Sequence, residues 1–166
     1  MKIKIIFSIV SLLLSVSLSS QEQKIVKILN RELQKEVKAQ QDASNYYGEA
    51  FEVVKPYSIK DSLGGKFLTL EIKKQNYYNK TFYTIKQETE LSKIKTIVKD
   101  INVIFDTEPD AVTITETEEN GKKHIYTENM FFLRLSHEKK NDKLGKELVK
   151  AFKKSGYMIK KEFWYD

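Results

Sequence analysis

An α+β domain is the fold class this sequence predicts: a largely antiparallel β-sheet with an N-terminal amphipathic helix and a penultimate C-terminal helix packed on it. Three observations carry that expectation. Apolar residues recur every three to four positions near both ends of the chain, and they alternate at every second position through its middle. Between two of the alternating runs stands Asn120-Gly121, a pair that tolerates the positive φ of a tight hairpin turn.

Residues 1–20 read as a secretory signal peptide. Lys2 and Lys4 form a short positive region, Ile5 to Leu18 is apolar, and Ser17, Ser19 and Ser20 are small residues suited to cleavage. The apolar run falls short of the roughly 20 residues of a bilayer crossing, which disfavours an uncleaved anchor. Cleavage after Ser19 and cleavage after Ser20 both fit. The leader resembles those of small exported bacterial proteins, which implies a periplasmic or secreted chain with no membrane span after cleavage. With no cysteine in the chain, a lipid anchor, a disulfide scaffold and thiolate metal sites are all excluded.

The remaining residues, 21–166, suit a single domain, since 40% hydrophobic content over a chain of 166 residues is enough for one core. The formal charge is +6, and two of the positive charges are Lys2 and Lys4 of the leader. Arg31 and Arg134 are the two arginines, and acids are interleaved among the lysines. Nucleic-acid readers concentrate arginine where phosphates and guanines are gripped, so this pattern argues against a nucleic-acid partner.

The first helix is expected over 21–45, where Ile25, Ile28, Leu29, Leu33 and Val37 form one apolar stripe that docks on the sheet. A coiled-coil or partner-binding role would have only about three heptads to work with. The sheet is expected over 50–136, in about six to eight strands with the terminal one. Phe51–Ile59 is a strand confined to an edge or a bulge by Pro56. Asp61–Gly65 is a turn without the Lys-Ser/Thr pair and helix of a phosphate loop. Leu68, Leu70 and Ile72 face the core from the next strand, and a polar loop, Gln75–Lys80, leads into its hairpin partner, Thr81–Gln87. Asn79-Lys80-Thr81 matches a glycosylation acceptor, a short motif read here as accidental.

Glu90–Lys99 suits a short helix or a strand equally, and Ile101–Phe105 reads as a strand ending in an acidic turn at Asp106–Asp110. A two-residue loop at Asn120-Gly121 sets Glu119 opposite Lys122, Glu118 opposite Lys123, Thr117 opposite His124 and Thr115 opposite Tyr126. One face of that hairpin then carries Val112, Ile114, Ile125 and Thr127, and the other Thr113, Thr115, Thr117, His124 and Tyr126. Phe131, Leu133 and Leu135 add one more buried face. The second helix spans 141–155, capped by Asn141 or Asp142, with Leu144, Leu148, Val149 and Phe152 as its stripe and Gly156 as a left-handed stop. A terminal strand occupies 157–165, with Tyr157, Ile159 and Phe163 on one face.

No catalytic or metal signature stands out, and no cofactor is expected. General-base work at neutral pH would fall to His124 or His137, and without cysteine a nucleophile would be Ser, Thr, Lys or a carboxylate. Thr115, Thr117, His124 and Tyr126 make a candidate ligand-binding surface, weighed against an ordinary solvated strand face. Asp106, Glu108 and Asp110 start like a calcium loop, but Pro109 breaks the spacing and neither the loop glycine nor the terminal Glu follows. A glycosidase-like carboxylate pair would be assembled only by the fold. Lys143, Lys146, Lys150 and Lys154 of the last helix form a candidate basic surface for anionic headgroups or an acidic partner. The aromatic tail Phe163-Trp164-Tyr165 does not make an outer-membrane barrel, because the strands carry Lys or Glu on their free faces and helices interrupt them.

The expectation is therefore an exported cell-envelope protein acting as a non-catalytic binding or interaction module, its partner an envelope protein or a small ligand. The alternatives are a small secreted hydrolase pairing a histidine with a carboxylate, and an inhibitor presenting Gln75–Lys80 to a foreign enzyme.

Overall fold

The computed structural model describes residues 2–42, 46, 49–62, 64–136 and 141–165, the stretch 2–20 through its backbone alone. His137 lies outside the described residues. The element order is α1 (Lys2–Gln41), β1 (Glu52–Ser62), β2 (Gly65–Gln75), β3 (Phe82–Glu90), a 3₁₀ turn (Leu91–Lys93), β4 (Ile94–Lys99), β5 (Val103–Thr107), β6 (Val112–Glu118), β7 (Lys123–Glu128), β8 (Met130–Phe132), α2 (Asp142–Lys154) and β9 (Lys160–Trp164). The expected α+β class holds, with two helices packed on nine mostly antiparallel strands among the described residues. The leader and the first amphipathic segment are one continuous helix, and the ambiguous stretch after Glu90 splits into a 3₁₀ turn and a strand.

The strands form two sheets where the sequence suggests one. The larger has the order β1-β2-β3-β6-β7, and the smaller β8-β5-β4-β9. Every pairing is antiparallel except β4 with β9, the strand that returns from α2. Pro56 does what its missing N–H requires: β1 is an edge strand, and its register shifts between Val53 and Ser58.

Two carboxamides act as substitute strands. Asn30 of α1 donates from Nδ2 to the Tyr57 carbonyl and accepts from the Tyr57 N–H, both at 2.9 Å, and so occupies the β1 edge. Gln87 of β3, almost wholly buried, donates from Nε2 to the Phe132 carbonyl at 3.0 Å and accepts from the Phe132 N–H at 3.1 Å, and so joins the two sheets. The Tyr57 hydroxyl adds a third tie by donating to the Leu133 carbonyl at 2.5 Å.

The core lies between the sheets and helices. Ile25, Ile28, Leu29 and Leu33 enter it from α1, and Leu144, Leu148, Ala151 and Phe152 from α2. Phe152 meets Phe105 of β5 edge-to-face at 5.3 Å. Burial of side chains this large stabilises by about 1.5–3 kcal/mol each. Asn141 occupies the α2 N-cap position without a side-chain cap bond. The other end stops as expected: Gly156 has φ 87°, the Tyr157 N–H donates to the Phe152 carbonyl and the Gly156 N–H to that of Lys153, which is a Schellman closure.

The β6–β7 hairpin departs from its expected register by one residue. Thr117 pairs with Lys123, Glu116 with His124, Thr115 with Ile125 and Ile114 with Tyr126. A two-residue turn needs positive φ at both Asn120 and Gly121, and only Gly121 has it, at 83°. Asn120 instead accepts the Lys122 N–H on Oδ1 at 2.8 Å and donates from Nδ2 to Glu118 at 2.9 Å. Those local bonds favour a three-residue loop, Glu119–Gly121, closed by Gly121 N–H to Glu118 carbonyl and Glu118 N–H to Lys122 carbonyl bonds. All of β7 is exposed, so burial imposes no register there and the turn decides it. One residue of slip exchanges the faces of β7: Ile125, expected beside Val112 and Ile114, lies on the outer face and is 67% exposed.

Candidate functional site

The inner face of the large sheet changes character along its length. Cross-strand rows run Leu68–Thr89–Val112, then Leu70–Gln87–Ile114, then Ile72–Ile85–Glu116, and finally Lys74–Tyr83–Glu118. Where the core ends, this face opens into a cleft of about 540 Å³ lined by Tyr83, Glu116, Glu118 and His124, with Glu119 and Asn120 from the hairpin tip and Asn76, Asn79 and Thr81 from the β2–β3 loop.

The loop is shaped by its own amides. Asn76 Oδ1 accepts from the Tyr78 and Asn79 N–H groups at 2.9 and 3.4 Å, and Asn79 Oδ1 accepts from the Thr81 N–H at 3.1 Å and its hydroxyl at 2.7 Å. Local bonds of this kind are what asparagine offers a turn. They leave Tyr77 and Tyr78 81% and 91% exposed in the loop, ring centroids 5.6 Å apart and nearly perpendicular, with the Lys80 ammonium 4.7 Å from the Tyr77 ring centroid.

Inside the cleft each functional group is held by another. The Tyr126 hydroxyl donates to Glu116 Oε1 at 2.9 Å, and partial desolvation of its otherwise exposed ring together with that carboxylate pushes the phenol up to about 12. Burial and the nearby Glu116 raise the Tyr83 phenol as well. Glu118 lies 3.1 Å from His124 Nε2 and accepts from Asn120, and these two bonds hold its carboxyl below the usual carboxylate range. Nearby, Arg134 sits at φ 53° with its guanidinium 5.4 Å from the Phe132 ring centroid, and burial lowers its pKa. Its buried Nε has no hydrogen-bond partner among the described residues. Lys74 and Glu49 form an ion pair close by, which depresses the Glu49 carboxyl.

The four residues expected to form one ligand face are divided by the observed register. His124 and Tyr126 stand on the inner face at the cleft, whereas Thr115 and Thr117 pair with Ile125 and Lys123 on the outer one. Glu116, Glu118, Tyr83 and the three asparagines take their place. The signal for the two glutamates was present in the sequence, because they continue the inward parity of Val112 and Ile114 along β6.

The basic surface divides too. Lys146 is paired with Asp142 at 2.6 Å, four residues back on the same helix, and Lys146 and then Lys161 hold the Asp142 carboxyl low. Lys143 is exposed on α2. Lys150 and Lys154 line a groove of about 510 Å³ between α1 and α2, where they meet Gln21, Lys24 and Lys27. Across this groove Arg31 grips Glu147 through two nitrogens at 2.7 and 3.3 Å, which depresses the Glu147 carboxyl and raises the guanidinium further.

No family model, curated protein or solved structure matches the chain. Among the described residues no cluster of three or more His, Asp or Glu could hold a metal ion, and no helix is long and apolar enough to cross a membrane. In the acidic turn before β6, Glu108 is engaged by Lys93 at 2.9 Å and Asp110 accepts from the Thr127 hydroxyl at 3.0 Å. The cleft therefore offers carboxylate, amide, imidazole and phenol groups in a fixed array.

Proposed function

We propose that this chain is an exported, non-catalytic binding module of the cell envelope, and that its cleft takes a small ligand rich in hydroxyl and ammonium donors. The observation that carries the reading is pre-organisation: Glu116 is fixed by Tyr126, and Glu118 by Asn120 and His124, through the protein's own side chains. Acceptors held in place lose little freedom on binding. Tyr78, exposed in the β2–β3 loop between the cleft residues Asn76 and Asn79, supplies an apolar face for a sugar-like ring, while the Tyr77 ring is covered by Lys80. The leader pattern at residues 1–20 supports export.

The test is a titration of the labelled protein with glucosamine oligomers and their N-acetylated counterparts, following amide shifts of β6 and β7. Hydrogen bonds to charged groups contribute about 1.5–3 kcal/mol each, so Glu116→Gln and Glu118→Gln should each weaken binding about tenfold or more. No shifts with any oligomer, or variants that bind like the parent, would refute the reading.

One contact favours a second reading, a small hydrolase. His124 and Glu118 lie in hydrogen-bond reach inside a concave site, as an acid–base pair requires. Turnover of chromogenic esters or glycosides that disappears in His124→Gln would establish it, and absence of turnover in the parent protein would remove it.

A further inference from the structure

Among the described residues, three of the four sheet edges are closed to further pairing and one is open. The β1 edge is broken at Pro56 and occupied by the Asn30 carboxamide. On the small sheet, β8 is three residues long and β9 carries a positive φ at Phe163. Proline, register breaks, very short strands and bends are ordinary devices that keep an edge from adding a strand. The β7 edge uses none of them. It keeps one register with β6 along its whole length and exposes every residue, with Ile125 at 67% and Tyr126 at 41%. The ladder also fixes which backbone groups are available. The Glu118 N–H donates to the Lys122 carbonyl at 2.9 Å, so by the alternation of an antiparallel pair His124, Tyr126 and Glu128 turn their N–H and C=O groups toward β6. Those of Lys123, Ile125 and Thr127 point outward.

We propose that this edge is the interface of a symmetric dimer, in which β7 pairs antiparallel with β7 of a second copy of the chain about a two-fold axis at Ile125. The edge itself selects that occupant. In this register Ile125 exchanges both backbone bonds with its counterpart, and Lys123 of each copy exchanges both with Thr127 of the other, so every outward group of β7 is satisfied. The two exposed Ile125 side chains then cover one another on the outer face. At each end Lys122 of one copy stands opposite Glu128 of the other, and among the described residues neither makes an ion pair within its own chain. Both charge pairs come from one sequence read in its two directions, which is what an isologous interface requires. Moving the axis to Tyr126 sets Lys123 opposite Asn129, whose carbonyl already accepts from the Thr107 N–H at 2.9 Å and hydroxyl at 3.0 Å. Moving it to His124 sets Thr127 opposite Gly121 in the turn. The dimer joins the two large sheets and brings Tyr126 of each copy beside His124 of the other at the cleft wall, whatever the cleft binds.

The experiment follows amide exchange and sedimentation of the full chain from about 10 μM to about 1 mM, a range that spans weak, reversible interfaces. The amides of Lys123, Ile125 and Thr127 should gain protection with concentration, about tenfold once about nine-tenths of the chain is dimer. Those of His124 and Tyr126, bonded to β6, should be protected throughout, and this readout needs no variant. The sedimenting mass should double over the same range. Ile125→Lys should abolish the doubling, whereas Ile101→Lys, at a residue 74% exposed and outside β7, should keep it. Because the chain has no cysteine, the register has its own test. Hydrogen-bonded partners have Cα atoms about 5.5 Å apart, within disulfide reach, so Ile125→Cys should oxidise to a covalent dimer and Thr127→Cys, two residues along the same face, should not. A chain that stays monomeric to about 1 mM would overturn the proposal and leave the edge to a strand of another protein. So would an association that leaves the Ile125 amide unprotected, as one through the apolar leader would, or a dimer that survives Ile125→Lys. Equal cross-linking of the two cysteine variants would refute the axis at Ile125.

Discussion

Replacing Gln87 by Leu tests whether one carboxamide couples the two sheets. The side chain is 1% exposed and supplies both a donor and an acceptor to Phe132, the terminal residue of β8. Leucine keeps the volume and removes both bonds. Each bond contributes a net of about 1 kcal/mol, and each backbone group left unpaired in a buried place costs about 1–3 kcal/mol. Phe132 is half-buried, so water meets part of that need, and the expected loss is about 2–4 kcal/mol. For a domain of this size that corresponds to a fall in Tm of about 4–16 °C. Urea titration gives the free energy, and hydrogen exchange at the Phe132 amide gives the location. The control is Lys86→Ala, one residue away on the opposite face, where the partly exposed pair with Glu88 is worth little. A Gln87→Leu protein within about 0.5 kcal/mol of the parent, with its Phe132 amide still protected, would refute the coupling.

Two further outcomes follow from the helices. Gly145→Val should destabilise by about 1–3 kcal/mol through overpacking, because even a Cβ there would stand 2.8 Å from Trp164 Cζ3; a red shift in the emission of the single tryptophan reports the displaced ring, and an unshifted spectrum at parental stability counts against that contact. Glu147→Gln should remove a pH-dependent part of stability: the folded carboxyl is depressed by Arg31, so its contribution is present above the ordinary glutamate value of about 4.3 and is lost as pH falls through the lower folded value. Parent and variant melts should therefore differ near neutral pH and converge in acid, and curves that stay parallel throughout would contradict the clamp.

The sequence by itself determined the elements whose signals are local and repeated. The stripe from Ile25 to Leu33 and the Leu144–Phe152 stripe could bury only one side of a helix, the alternation at Leu68, Leu70 and Ile72 could bury only one face of a strand, Pro56 removed a backbone donor, and Gly156 supplied the positive φ that ends a helix. What depended on partners distant in the chain was decided by the tertiary structure. The split into two sheets, the parallel return of β9 to β4, and the use of Asn30 and Gln87 as strand substitutes all join residues far apart in the chain. The basic groove is of the same kind, since Lys24 and Lys27 met Lys150 and Lys154 only when α1 packed on α2. The hairpin lies between these cases. Its turn was legible at Asn120-Gly121, but a difference of one residue in loop length changed which side chains face the cleft, and no burial on β7 was available to correct it. Local chemistry therefore set the elements, and the long-range contacts set which of their polar residues became a site.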